Sequence, residues 1–254
     1  ILNIDEAKGT VDLVSAAPTS SPVKFYGALG YHNGPYVMNK ICEELYSNST
    51  LNVKARNINL LDMEKHLTVD KGIPARNGST NGVQQYGKTK TYTDSYSYYP
   101  LLYAGQKGAG VNVAEANASS ILQDHTKGND PYEESVEATS PLTDKTSKQA
   151  DNKVLTVTQT YYGISINETN YGKAASVLSS SNYYWVAARY VNTDSRYAGF
   201  GLRRAGTNTD GSYAFDSYCS SYTSSSFGLR PVVSLPSSIL SDTKDAASGA
   251  WNLK

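Results

Sequence analysis

The chain has 254 residues, enough for one large domain or two small ones and for a sizeable core. Its 23 basic and 23 acidic residues cancel, so no overall charge draws it to phosphate backbones or anionic lipid, and nucleic acid is not an expected partner. No run of about 18 apolar residues is present to span a bilayer, and His32, His66, His125, Cys42 and Cys219 stand in no ligand-like spacing, so no metal, other cofactor or disulfide framework is expected.

The chain opens on Ile1 rather than Met and is expected to be a trimmed piece of a longer product. Apolar β-formers at residues 1–4 and 10–14 flank Glu6-Ala7-Lys8-Gly9, which predicts a β-hairpin. From Gly34 to Ser47, Val37, Ile41 and Leu45 recur at four-residue spacing with Met38 and Cys42 beside them, and Asn39, Lys40, Glu43 and Glu44 take the other side. That spacing predicts an amphipathic helix with Cys42 on its buried edge. Asn59 then precedes a short apolar run with an acid, Asp62, three residues on, which predicts a second, capped helix. Residues 68–100 and 123–153 are polar and rich in Gly, Pro, Ser and Asn, so both read as long loops or insertions.

Strand-like runs return at residues 154–162, 183–191, 197–203, 213–216 and 227–235. Phe-Gly-Leu-Arg occurs at residues 200–203 and again at 227–230, which predicts two similar strands in one sheet. The expected fold class is α+β, with two N-terminal helices packed on an antiparallel or mixed sheet that the C-terminal half completes. Trp185, Phe200, Leu202, Phe227, Leu229, Val232 and Val233 are its expected core, and Arg203 and Arg230 are expected to tie loops through their guanidinium forks.

Gly82-Val83-Gln84-Gln85-Tyr86-Gly87-Lys88-Thr89 matches the phosphate-binding pattern G-x-x-x-x-G-K-[ST]. That chemistry needs an apolar strand before the loop and a helix after it, and neither flank suits. No G-x-S-x-G elbow and no H-E-x-x-H occurs, and the paired acids Glu43/Glu44 and Glu133/Glu134 read as solvated charge, so an enzyme is not the expected class. Four Asn-x-Ser/Thr sequons are what so Asn-, Ser- and Thr-rich a chain produces by chance. The 21 Tyr stand beside 4 Phe and 2 Trp. Two readings fit that excess. One is a recognition surface in which Tyr supplies rigid contact area and Ser, Gly and Asn adaptable hydrogen bonds; the other is a secreted β-domain with Tyr on half-exposed strands.

Position separates the two readings. Residues 186–230 contain no Lys, Glu, Gln, Met or Trp, where the rate in the rest of the chain would give about seven. The same window holds five of the seven arginines and Tyr190, Tyr197, Tyr213, Tyr218 and Tyr222. Enrichment in Arg and Tyr with depletion of Lys and Glu is the signature of a recognition surface. The excluded types are also those that no codon ending in a pyrimidine encodes.

Tyr184-Trp185-Val186-Ala187-Ala188-Arg189, with Phe200-Gly201-Leu202-Arg203 and Phe227-Gly228-Leu229-Arg230-Pro231-Val232-Val233, resembles the C-terminal variable region of proteins diversified by retroelements. The upstream Tyr31-His32-Asn33-Gly34 and Cys42-Glu43-Glu44-Leu45-Tyr46 are similar to the front of such domains in bacteria and their phages. The resemblance implies a single C-type-lectin-like domain over residues 1–254, related to the formylglycine-generating enzymes and to a phage tropism determinant, with insertions at about 68–100 and 123–153 and a variable region at 186–230. Adenine mutagenesis of Asn-type codons in that family accounts for the excluded residue types. No Glu-Pro-Asn or Gln-Pro-Asp triplet is present for a lectin calcium site, and the paired cysteines of the formylglycine enzymes are missing, so those chemistries do not carry over.

The function this implies is non-catalytic display on a bacterial surface or virion, outside the cell, of a site that binds a variable protein or glycan ligand. The expected ligand-binding residues are Tyr190, Asn192, Asp194, Arg196, Tyr197, Arg204, Tyr213, Asp216, Tyr218 and Tyr222, gathered on one face. An enzyme on the formylglycine-type scaffold and a structural decoration protein are the alternatives.

Overall fold

In the computed structural model the described residues are 1–68, 85–92, 111–113, 155–195, 198–207, 213–218, 224–244 and 251–253. The chain runs through β1 (Asn3–Asp5), β2 (Thr10–Val14), β3 (Val23–Tyr26), α1 (Gly27–Tyr46), β4 (Ala55–Asn57), α2 (Leu60–Glu64), β5 (Thr89–Tyr92), β6 (Val111–Val113) and β7 (Leu155–Thr158). It continues with β8 (Ile164–Ser165), α3 (Glu168–Tyr171), α4 (Ala175–Leu178), β9 (Tyr184–Thr193), β10 (Ala198–Thr207), β11 (Tyr213–Tyr218), β12 (Ser224–Phe227), β13 (Pro231–Pro236), β14 (Leu240–Lys244) and β15 (Trp251–Leu253). Helices combined with antiparallel sheets make this an α+β arrangement.

The predicted hairpin forms: β1 pairs with β2, and Gly9 turns the chain at φ +62°, a left-handed geometry that glycine adopts without penalty. The strand β2 then joins β13, which pairs in turn with β4, so the N-terminal hairpin and the C-terminal third share one sheet in the order β1-β2-β13-β4. A second sheet runs β8-β11-β10-β9 and a third β12-β3-β6.

Helix α1 begins at Gly27, about two turns before the predicted start, and carries Pro35 inside it. Proline without an N–H is a natural first residue of a helix, which is why the sequence points to a start there; here the helix passes through it. Gly34 just before it allows close approach. A Cβ built at Gly34 would stand 2.6 Å from Leu202 Cδ1 on β10. The second helix is capped as expected. Asn59 Oδ1 accepts from the Asp62 N–H, and Asp62 Oδ2 accepts from the Asn59 N–H, each at 2.9 Å, a reciprocal capping box. Arg56 pairs with both oxygens of the Asp62 carboxylate, so this buried acid has a countercharge.

The strand β9 explains why the core has two parts. With a period of two, Trp185 and Ala187 face one way, into a cluster with Phe25, Met38, Ile41 and Leu202, while Tyr184, Val186 and Ala188 face the other, among Ile58, Met63, Ile164 and Leu178. A strand covered on both sides reads as a continuous apolar run, as this one does. Trp185 is fully buried, packs edge-on to Phe25 at 5.3 Å, and donates from Nε1 to the Val23 carbonyl at 2.8 Å. Leu202, Leu229 and Val232 are buried as expected, whereas Phe227 and Val233 are only partly so.

Several expectations need correction. The two Phe-Gly-Leu-Arg segments are not similar strands of one sheet. The first lies within β10, but the second leaves its strand at Phe227 and crosses to β13. Gly228 is the point of departure: a Cβ there would meet the Thr19 carbonyl at 2.6 Å, and its own carbonyl accepts from the Trp185 N–H at 2.9 Å. Within the first polar stretch Thr89–Tyr92 is a strand paired with β7, placed where a phosphate-binding loop would lead into a helix. The run at 154–162 is a strand only to Thr158, and helices α3 and α4 are unannounced by any amphipathic period because each is a single turn. Phe200's side chain and residues 123–153 lie outside what is described.

Candidate ligand-binding face

The strands β9, β10 and β11 carry the window singled out by composition. β10 pairs with both neighbours, from Ala198↔Thr193 to Ala205↔Tyr184 on one side and from Leu202↔Tyr218 to Thr207↔Tyr213 on the other. The register slips between Leu202 and Arg203, an irregularity that increases local twist.

Arg203, on β10, and Arg230, just before β13, tie together segments distant in sequence through their guanidinium forks. Arg203 is fully buried and donates to the main-chain carbonyls of Thr160 and Tyr162, its guanidinium lying 4.7 Å over the Tyr162 ring. Arg230, 1% exposed, donates to the carbonyls of Val177, Leu178 and Ser15. Tyr184, beneath Arg230, donates to the Leu178 carbonyl at 2.6 Å, and burial pushes its phenol up to about 12 against the opposing pull of Arg230.

The end of the β9–β10 hairpin is braced from outside the window. Gln159, 2% exposed, accepts on Oε1 from the Thr193 N–H at 2.6 Å and from Thr193 Oγ1 at 2.8 Å, and donates from Nε2 to Asn192 Oδ1 at 3.3 Å. Lys90 Nζ and Tyr92 OH, both on β5, donate to the Asp194 carbonyl. The bonds at Asp194 are to main chain, so they do not depend on which side chain stands there.

The structure sorts the ten expected residues into four groups. Asn192 and Asp194 are half-buried at the hairpin end. Arg204 is half-buried as well, stacked 3.8 Å over the Tyr183 ring and 5.6 Å from that of Phe227. Tyr213, Asp216 and Tyr218 occupy β11 opposite Thr207, Arg204 and Leu202. With a period of two, position 213 falls on the other face of that strand from 216 and 218. Arg196, Tyr197 and Tyr222 lie outside the described residues. Tyr190 is a correction: it is 4% exposed, packed 5.7 Å from the Tyr161 ring, and belongs to the interior rather than to an open face. Val186, Ala187 and Ala188 earlier on the strand and Val191 after it are apolar, a sign that β9 is covered on both sides.

Sequence reasoning missed Gln159 and Asn57. Asn57 is fully buried and joins three elements, donating to the Trp185 carbonyl at 2.9 Å and accepting on Oδ1 from the Arg230 N–H at 2.8 Å, while its own N–H reaches Asn39 Oδ1 at 2.9 Å. In a chain so rich in polar residues, neither stands out by type or spacing. Among the described residues no group of three or more His, Cys, Asp or Glu could hold a metal, and no helix is long and apolar enough to cross a membrane. No family model, curated protein or solved structure matches the chain.

Proposed function

We propose that the chain is a non-catalytic display protein of the C-type-lectin-like kind, a single domain whose residues 186–230 are diversified by a retroelement to bind a protein or glycan ligand outside the cell, on a bacterial surface or virion. One observation carries this reading: the stretch that lacks Lys, Glu, Gln, Met and Trp takes in β10, β11 and β12 whole and β9 from Val186 onward. The bracing supports it. Gln159, Lys90 and Tyr92 all lie outside the window; Lys90 and Tyr92 grip the Asp194 carbonyl and Gln159 the Thr193 N–H, main-chain holds that survive exchange of the side chains. A rigid hairpin also keeps the entropy cost of binding low. The binding set under this reading is Asn192, Asp194, Arg196, Tyr197, Arg204, Asp216, Tyr218 and Tyr222, without Tyr190 and without Tyr213, whose position falls on the other face of β11 from 216 and 218.

Sequencing of the surrounding locus tests the proposal. A near-copy of the segment encoding residues 186–230, differing almost only at template adenines and lying beside a reverse transcriptase gene, is the expected result. A locus with neither overturns the diversification.

A further inference from the structure

A cleft of about 450 Å³ opens between the C-terminal half of α1, the segment leading from β2 to β3, and the residues entering β13. That volume lies within the range of small-molecule sites, roughly 300–1,000 Å³. Val23, Ile41, Leu229 and Pro231 form an apolar lining that Leu45 and Tyr46, each a little over two-fifths exposed, carry out to the surface. Ala17 and the hydroxyl residues Ser15, Thr19, Ser20 and Ser21 complete the lining. Among the described residues, no charged side chain lines the cleft.

Ser15 differs from its neighbours. Its N–H donates to the Pro231 carbonyl at 2.9 Å and its carbonyl accepts from Arg230, so the main chain is fixed on both sides. Its Oγ is shielded from solvent and has no hydrogen-bond partner among the described residues. A buried hydroxyl left in that state is costly and uncommon, and a hydroxyl reorients readily about χ1 to meet a polar atom. Thr19, by contrast, is already used, accepting from the Leu229 N–H and donating to the Ser21 carbonyl.

We propose that this cleft is a binding site for a small uncharged molecule with an apolar body and one hydroxyl or carbonyl group, which pairs with Ser15 Oγ. The uncharged lining disfavours an ion, for which it offers no countercharge. The apolar wall takes up the body of the ligand, and Ser15 distinguishes a ligand with a polar atom from one without. None of the cleft residues belongs to the ligand-binding set above, so this site stands or falls separately from the display function.

The probes are p-cresol and toluene, alike in shape and differing by one hydroxyl, titrated into the isotope-labelled full chain with amide chemical shifts as the readout. Saturable p-cresol shifts are expected at Ser15, Val23, Ile41 and Leu229, with toluene binding about tenfold more weakly for want of the hydrogen bond. Ser15→Ala is expected to make the two probes equal without lowering the thermal midpoint. Ala17→Trp, at an exposed position on the wall, should leave the native spectrum in place and abolish the shifts. Equal affinities in the unaltered chain, shifts scattered over other residues, no saturation with either probe, or binding that survives Ala17→Trp would each overturn the proposal.

Discussion

Arg203 and Arg230 have almost no exposed surface, and each directs its donors at main-chain carbonyls of segments distant in sequence. Removing such a group strands its acceptors in the interior. Arg203→Met should therefore cost about 3 kcal/mol through the Thr160 and Tyr162 carbonyls, read as a lower midpoint in denaturant. Trp185→Ala should cost roughly 3–5 kcal/mol as a buried aromatic, and Tyr190→Ala about 3 kcal/mol, since it too is interior. Replacing Tyr197, Tyr218 or Tyr222 by Ala should change stability by no more than about 0.5 kcal/mol while weakening ligand binding. Comparable losses at these three and at Trp185 would make them structural residues of a fixed sheet and remove the support for display.

Between elements, the seat of α1 on β10 is sensitive to a single atom. Gly34 lies against Leu202, and a methyl group there has no room unless Leu202 shifts. Gly34→Ala gains helix propensity yet should destabilise by about 1–3 kcal/mol through overpacking. In a Leu202→Val background the same change should cost clearly less, and a double-mutant cycle on equilibrium unfolding measures the difference. Additive effects would place the strain elsewhere. The first hairpin, the Asn59 cap, the apolar run of β9 and the two arginine forks were legible because each rests on a local signal: a turn glycine, an acid three residues from an Asn, an unbroken apolar stretch, a repeated motif. The division of the two Phe-Gly-Leu-Arg segments between sheets was not. It depends on how closely Gly228 approaches Thr19, a residue more than 200 positions away. The braces at Gln159 and Asn57 were hidden for the same reason, and the face of Tyr190 was misjudged because composition does not report depth.

The molecule as a whole joins its two ends: β2 lies beside β13, and Ser15 and Thr19 are bonded to residues 229–231. Its titrating groups set a window of stability. Burial holds His66 below its ordinary 6.5, with Lys65 adding to the effect and Asp62 and a bond to the Leu2 main chain opposing it. The unfolded chain therefore takes up that proton first, and stability should fall as pH drops below 6.5. Asp5 and Glu43, held low mainly by hydrogen bonds to Lys8 and Lys40, extend the loss at stronger acid. On the alkaline side burial raises Cys42, Tyr171 and Tyr184, so the unfolded state ionises first and stability declines above the ordinary thiol value of 9.0. Unfolding midpoints across pH should show a plateau between these limits, and His66→Gln should flatten the limb just below 6.5. A limb unchanged by that substitution would assign it to other groups.

The strand β9 ends its ladder, yet its outer flank is occupied. The Trp185 N–H goes to Gly228, the Ala187 N–H to Ile58, the Trp185 carbonyl to Asn57, and the Thr193 N–H to Gln159. An open flank of this length would recruit strands from other copies, a hazard proteins commonly meet with lysine, glutamate or proline on the edge. A segment without those residue types has no such guards of its own. Here Asn57, Ile58 and Gln159, all outside that segment, supply cover, so under the proposed diversification resistance to fibril formation should persist from one sequence of the segment to the next.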